Sequence, residues 1–245
     1  MEKGLKIFYD VDTQHDFMDK DGALYVPGAE EIKPNLKKLT EYARIRSIPI
    51  LGSVDRHFGT EEYKHREGEL KRWGGPFPDH CMHMSKWMEK IPETKYEMTI
   101  EEGFGAPPYK EDSGIYIPNR LDGNIDLGML ASGIQEVIGH GYISLISKCG
   151  LYFEKQNYDV FNNPAFKKFL DFTEVKEAVV YGVATDYCVK AAVLGMQQRG
   201  VQCYVVKDAI AAVSPDTGEK SLEEMVKSGA KLITTKGVLE NKMEW

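Results

Sequence analysis

The chain has 245 residues, 42% hydrophobic and 28% charged, with a formal net charge of −7 at pH 7. This composition suits a globular protein long enough to bury a sizeable core, and an acidic balance without a basic stripe argues against a nucleic-acid or other phosphate-binding surface. The N-terminal stretch has only a brief apolar run before acids appear, which reads as neither a signal peptide nor a membrane span. Four widely spaced cysteines (Cys81, Cys149, Cys188, Cys203) without a CxxC pair suit a cytoplasmic protein with reduced thiols.

Residues 5–12, LKIFYDVD, read as a first strand that is apolar until Asp10 and Asp12. A loop with Gly22, Pro27 and Gly28 follows. A helix over about 29–46 then puts Ile32, Leu36, Leu39 and Ala43 on one face, with Pro34 near enough its start to be tolerated. IPILGSV at 48–54 predicts a second strand, again followed by a polar cluster, Asp55, Arg56 and His57. Residues 58–80 are polar, and the prolines and glycines of WGGPFPDHC speak against a regular element. Residues 84–141 hold a possible strand, YIPNR, and a possible helix, GMLASGIQEVIGHG; a lid, an oligomer contact and a small subdomain are all open for this region.

LYFEK at 151–155 resumes the sheet, and AFKKFL forms a short helix. The strand 178–183 ends in a turn where Thr185 and Asp186 are N-cap candidates. Val189, Ala192, Val193 and Met196 then recur at helical spacing until Gly200. A strand VQCYVVKDA, a helix TGEKSLEEMVKSGA and a last strand KLITT close the chain. Strands alternating with helices predict a parallel sheet covered on both faces.

Three strand ends carry reactive side chains: Asp12, Lys155 and Cys188. In a parallel sheet these ends share one edge. Cys188 falls about one turn into a helix, where unpaired backbone N–H groups favour a thiolate and can hold an oxyanion. An ammonium lowers a thiol's pKa and a carboxylate accepts its proton, so the three form a candidate activated nucleophile. The plain alternatives are a packed cysteine, a loop-capping acid and a surface lysine. Asp55, His57 and His80 supply one oxygen and two nitrogens, and three protein ligands with open positions suit a catalytic Zn²⁺, or Fe or Mn. His65 and His83 are near enough in sequence to substitute, and solvated loop histidines are the plain alternative.

The segments DTQHDF (12–17), GALYVPGAEE (22–31), VDRH (54–57), GGPFPDHC (74–81) and GVATDYCVKAAVLG (182–195) together resemble the cysteine hydrolases of the isochorismatase-like superfamily. The pairing of Asp-x-His with GGPFPDHC is similar to its nicotinamidase branch. The resemblance covers residues 5–81 and 150–235. It implies one α/β domain over 1–245, with a six-stranded parallel sheet of order 3-2-1-4-5-6, helices on both faces and a long insertion at about 84–141. It also implies a catalytic triad of Asp12, Lys155 and Cys188, an oxyanion hole from the backbone N–H groups of Ala184 and Cys188, and a cis peptide between Val183 and Ala184. Phe17 and Phe77 become aromatic walls for the substrate. Asp55, His57 and His80 become ligands of a divalent metal, with Zn²⁺ ahead of Fe or Mn. The implied activity is hydrolysis of a small-molecule amide through a thioester, nicotinamide giving nicotinate and ammonia. A homo-oligomer without nucleic-acid or membrane partners is implied as well.

The chain departs from the family pattern at Arg56 and Phe77, where tryptophan is usual, and in the extra length between His80 and the lysine. Lys148 matches the spacing to Phe161 that nicotinamidases commonly show, whereas Lys155 ends the strand LYFEK and is preferred. Competing readings are another small amide (a carbamoyl or ureido compound, with Arg56 meeting a substrate carboxylate), a vinyl ether, against which the cysteine counts, and a catalytically silent scaffold.

Overall fold

A computed structural model describes residues 4–100, 109–112, 114–119, 146 and 149–243. Its main sheet contains β1 (Leu5–Val11), β2 (Ile50–Asp55), β5 (Ile115–Ile117), β6 (Leu151–Lys155), β7 (Val175–Val183), β8 (Gln202–Ala211) and β9 (Lys231–Ile233). All neighbours are parallel, in the order β5-β6-β2-β1-β7-β8-β9. A separate antiparallel pair, β3 (Glu97–Ile100) with β4 (Tyr109–Asp112), lies between β2 and β5 in sequence.

The expected class is therefore observed, but the expected six strands become seven. Without β5 the order is the predicted 3-2-1-4-5-6. The extra strand comes from the region read as an insertion: Ile115, Tyr116 and Ile117 pair with Leu151, Tyr152 and Phe153 and extend the sheet beyond β6. The other expected element there, the helix GMLASGIQEVIGHG, lies outside the described residues, and so does Lys148.

The strands are apolar because both faces are covered. Alternation sends Ile7, Tyr9 and Val11 of β1 to one side, where they pack with Phe153, Phe166, Val180, Val193 and Met225. This layer is roofed by α3 (Pro164–Thr173), α4 (Lys190–Gln197) and α5 (Pro215–Lys227). Phe8 of β1 faces the other way, onto Leu36, Leu39 and Ala43 of α2 (Ala29–Ile45) and Val238 of α6 (Thr235–Leu239). A one-turn helix, α1 (His15–Met18), occupies a stretch expected to be only loop, and a short 3-10 turn, Lys71–Trp73, interrupts the irregular 58–80 segment.

The strand order also locates a crevice. The chain runs outward from β1 through β2 to β6, then returns to place β7 on the opposite side of β1. Strand order thus reverses between β1 and β7, and the carboxyl ends of strands at such a reversal part to leave room for a ligand. Gly182 permits the close approach there. Its φ is +114°, and a Cβ on it would lie 2.1 Å from the carbonyl oxygen of Val11.

Candidate active site

Asp12 follows β1 in a left-handed conformation, with φ +47°. Two bonds to Ser53 hold it: its amide donates to the Ser53 carbonyl at 3.1 Å, and the Ser53 hydroxyl donates to Oδ1 at 2.7 Å. Lys155, at the end of β6, is in register with Asp55 at the end of β2. Its Nζ lies 2.8 Å from Asp12 Oδ2, pairs with Asp55 Oδ1, and stands 3.5 Å from Cys188 Sγ. Asp12 and Cys188 thus meet the same ammonium. All four side chains are buried. The structure thus brings Asp12, Lys155 and Cys188 together as expected.

One ammonium shared by two buried carboxylates pushes their pKa values apart. Burial raises both. For Asp55 the Lys155 charge, with His80 and His57, more than offsets this and holds the carboxyl well below its usual range. For Asp12 burial wins over Lys155, helped by the negative charge of Asp55, and its pKa is raised. Asp55 stays ionised, and Asp12 is the acid able to take up a proton. Lys155 is held charged: burial opposes its ammonium, but Asp12 and Asp55 prevail.

The thiol differs from expectation. A depressed pKa was predicted from the ammonium and the helix start. Burial instead pushes the Cys188 thiol up; Lys155 opposes this, while Asp12 and Asp55 add to it. The resting side chain is a neutral thiol beside the Lys155 ammonium.

Cys188 lies in a turn, Thr185–Val189, wound as a π-helix that runs into α4. The Val189 amide reaches back to the Ala184 carbonyl at 3.1 Å, and the Val183–Ala184 peptide is cis, as the resemblance implied. Ala184 and Cys188 both line the pocket. Asp186 does not cap its own helix. It accepts from the amides of Val213 and Ser214, at 3.0 and 3.2 Å, and from the Thr217 hydroxyl.

The candidate metal ligands also converge, with one addition. Asp55, His57, Glu69 and His80 each offer an atom within 4.8 Å of the others. His80 Nδ1 donates to the Pro78 carbonyl at 2.8 Å, which leaves Nε2 facing Asp55 Oδ2 at 3.5 Å and Glu69 Oε1 at 3.9 Å. His57 Nε2 lies 3.7 Å from the same Glu69 oxygen. Both His57 ring nitrogens are buried without a hydrogen-bond partner. An orphaned nitrogen is costly, and a divalent cation among two imidazoles and two carboxylates would satisfy His57 Nε2, so the donor set fits a Zn²⁺-type ion. His65 and His83 are exposed, outside the cluster, and do not substitute.

Glu69 was missed by sequence reasoning. It sits in the aperiodic 58–80 loop, where no spacing marks it. The loop is closed by Glu67, buried beside His57, whose carboxylate accepts from the amides of Phe58 and Gly59. Glu69 also accepts from the Tyr158 amide at 3.2 Å.

Burial and the Asp55 charge push Glu69 up to about 7. Burial drives His57 down to about 3, so it stays neutral. Burial lowers His80 too, but the hydrogen bond and charge of Asp55 prevail and its pKa is raised. A divalent ion needs Glu69 ionised and His80 neutral, so below about pH 7 it must displace a proton from Glu69, and the raised His80 opposes it in the same direction. Metal affinity is therefore expected to fall at least roughly tenfold per unit below about pH 7. Competition with a chromophoric chelator would measure this. Glu69→Gln should weaken binding and remove one proton from the pH slope; an affinity flat from pH 6 to about 8 would refute the assignment.

A cavity opens onto Cys188, walled by Phe17, Leu24, Val26, Phe77, Tyr158, Tyr187 and Val213, with Asp55, Glu69 and His80 also in its lining. Phe17 and Phe77 both line it, their ring centroids 5.4 and 6.4 Å from that of His80. Arg56 does not reach this cavity. It pairs with Glu154, and its Nε lies 3.1 Å from His83 Nδ1. No described helix is long and apolar enough to cross a membrane.

Residues 146–237 match the isochorismatase domain family. Over this part the chain is thus similar to isochorismatase-family hydrolases. Its similarity falls in the nicotinamidase branch. A nicotinamidase of Escherichia coli is 25% identical over 237 residues, spanning 91% of this chain and 92% of the relative. One of Saccharomyces cerevisiae is 24% identical over 222 residues, spanning 86% and 90%. Among solved structures, the pyrazinamidase of Pyrococcus horikoshii in complex with zinc superposes with TM-score 0.64 at 22% identity, covering 94% of this chain and 98% of the other. PnC1 from L. infantum in complex with nicotinate gives TM-score 0.65 at 16% identity, covering 95% and 94%.

Proposed function

We propose that this chain hydrolyses the carboxamide of a small, flat, uncharged heteroaromatic molecule, with nicotinamide giving nicotinate and ammonia. The observation that carries this reading is Cys188, 3.5 Å from a Lys155 ammonium that is itself paired with Asp12, at the floor of an aromatic cavity bordered by the Asp55–His57–Glu69–His80 cluster. The nicotinamidase relatives and the nicotinate and zinc bound by two structural neighbours support it.

In this mechanism Asp12 accepts the Cys188 proton as sulfur attacks the amide carbon, and Lys155 keeps Asp12 oriented. The backbone N–H groups of Ala184 and Cys188 receive the developing oxyanion. Asp12 passes its proton to the nitrogen, the C–N bond breaks and ammonia leaves. Water, deprotonated by Asp12, then attacks the thioester and frees Cys188. Phe17 and Phe77 hold the ring flat against the cluster. Asp55, His57, Glu69 and His80 would hold a divalent ion, which would supply Lewis-acid charge beside the cavity. The whole of 1–245 acts as one catalytic domain, with 84–141 as its insertion. A substrate carboxylate finds no support in Arg56, which is engaged by Glu154, so the ureido and carbamoyl reading loses its motive.

The test is ammonia release from nicotinamide by the purified chain, before and after chelation. Release that chelation abolishes and added Zn²⁺ restores is the expected result. No release from nicotinamide or pyrazinamide by metal-loaded protein would overturn the substrate.

A further inference from the structure

Behind the catalytic turn lies a second buried ion pair that the mechanism does not use. Lys90 Nζ is 2.7 Å from Asp10 Oδ2, and both side chains are about 1% exposed or less. Lys90 also donates to the Thr13 hydroxyl at 2.8 Å and lies 4.5 Å from the centre of the Tyr152 ring. The Thr13 hydroxyl in turn donates to Asp10 Oδ1 at 2.9 Å and touches the Thr94 hydroxyl at 2.6 Å.

The backbone around Lys90 repeats the contact. Gln14 and Lys90 bridge as antiparallel strands do. The His15 amide donates to the Glu89 carbonyl at 2.9 Å, and the Ile91 amide to the Thr13 carbonyl at 3.0 Å. Between these contacts the Gln14 side chain spans to β2: its amide nitrogen donates to the carbonyls of Met88 and Asp55, at 2.7 and 2.8 Å, and its oxygen accepts from the Asp55 amide at 2.7 Å.

We propose that Lys90 is a positioning residue: it clamps Asp10 and Thr13 so that the turn through Asp12 and Gln14 holds Asp12 against Cys188 and Asp55 in the metal cluster. This rests on the reading of Asp12 as the base for Cys188. Two arguments support it. First, Asp12 is a non-glycine residue in the left-handed region, a conformation that persists only where its surroundings over-determine it. Its immediate successor is the residue Lys90 grips. Second, a buried ion pair is no more stabilising than well-packed apolar side chains of similar volume, so stability alone does not account for this one.

The test compares Lys90→Met with the double variant Asp10→Asn, Lys90→Met, which removes both charges. The first readout is the rate at which iodoacetamide alkylates Cys188, where sulfur displaces iodide as Asp12 takes the thiol proton. The second is divalent-metal affinity by chelator competition. Both are read without the amide substrate. Lys90→Met is expected to slow alkylation roughly a hundredfold, and to lower kcat to a similar extent with KM changed less than about twofold, as for a catalytic group displaced by about 1 Å. Metal affinity should fall at least about tenfold, as for loss of an outer support of a ligand. The double variant should regain the parent's melting temperature but not its alkylation rate. If it regains both, or if Lys90→Met alkylates like the parent, the pair is structural only and the proposal fails. If the parent alkylates but hydrolyses no nicotinamide, the substrate reading fails while these comparisons still decide the role of Lys90.

Discussion

Replacing Cys188 by alanine is expected to reduce amide hydrolysis by roughly 10⁴-fold or more while leaving the fold intact. The effect is large because nucleophile, base and orienting ammonium act as a unit, and Asp12 has no proton to take once the sulfur is gone. The structural effect is small because the change removes one buried atom from a side chain that faces the cavity. The melting temperature should move only a few degrees, as for a loss of about 1 kcal/mol. The metal cluster lies on β2 and the 58–80 loop, so Cys188→Ala should still bind a divalent ion with the parent's affinity. Ammonia release at the parental rate from Cys188→Ala would refute the covalent mechanism.

Lys155→Met is expected to cost both activity and stability. The ammonium is the buried cation that Asp12 and Asp55 share, and removing one partner of a buried pair typically costs about 3–5 kcal/mol. The pH dependence follows from the sign of each shift. In the parent, Lys155 has its pKa raised in the folded state, so its contribution is fully present below the unfolded value of about 10.4 and is lost only in strong base. Through the neutral range it is constant. In the variant, two carboxylates face each other without a cation, and Asp12, already raised, goes higher. A carboxyl whose folded pKa is raised penalises the native state as pH climbs from its unfolded value through its folded one. The gap in melting temperature between metal-free parent and variant should therefore widen from about pH 5 to about pH 8. A gap independent of pH would show that Lys155 is not the counter-charge of this pair. Activity should fall with it, since the remaining carboxylates repel the thiolate.

The elements were legible where the signal was local. LYFEK at 151–155 is β6 residue for residue, and 29–46 differs from α2 by a single terminal residue. Asp12, Lys155 and Cys188 could be paired from sequence because each ends a strand, and parallel strands share an edge. The histidines and Asp55 were visible through Asp-x-His and a Gly-Pro loop. What failed was non-local. Glu69 becomes a neighbour of His57 only through the path of an irregular loop, and no period in the chain encodes that path. Of YIPNR only Tyr116 and Ile117 fall in β5, and the pairing of β5 with β6 is not encoded in any local pattern. The thiol's direction was misjudged because the sequence offers the lysine and the helix start, whereas burial and two carboxylates come only with the packed site. Asp186 was read as a cap because capping is the commonest local use of an aspartate before a helix, and nothing nearby announces Val213, Ser214 and Thr217.

Asp186 bears on how variants of this protein are to be interpreted. It stands two positions before Cys188, the proposed nucleophile, so any tally of loss-of-function changes would class it with the chemistry. Its oxygens instead tie down the Val213–Ser214 stretch that forms one bank of the cavity and the first turn of α5 behind it. A carboxylate outside the cavity's lining thereby fixes Val213, which belongs to it. A damaging change at Thr217, far along the chain, would then loosen the same anchor.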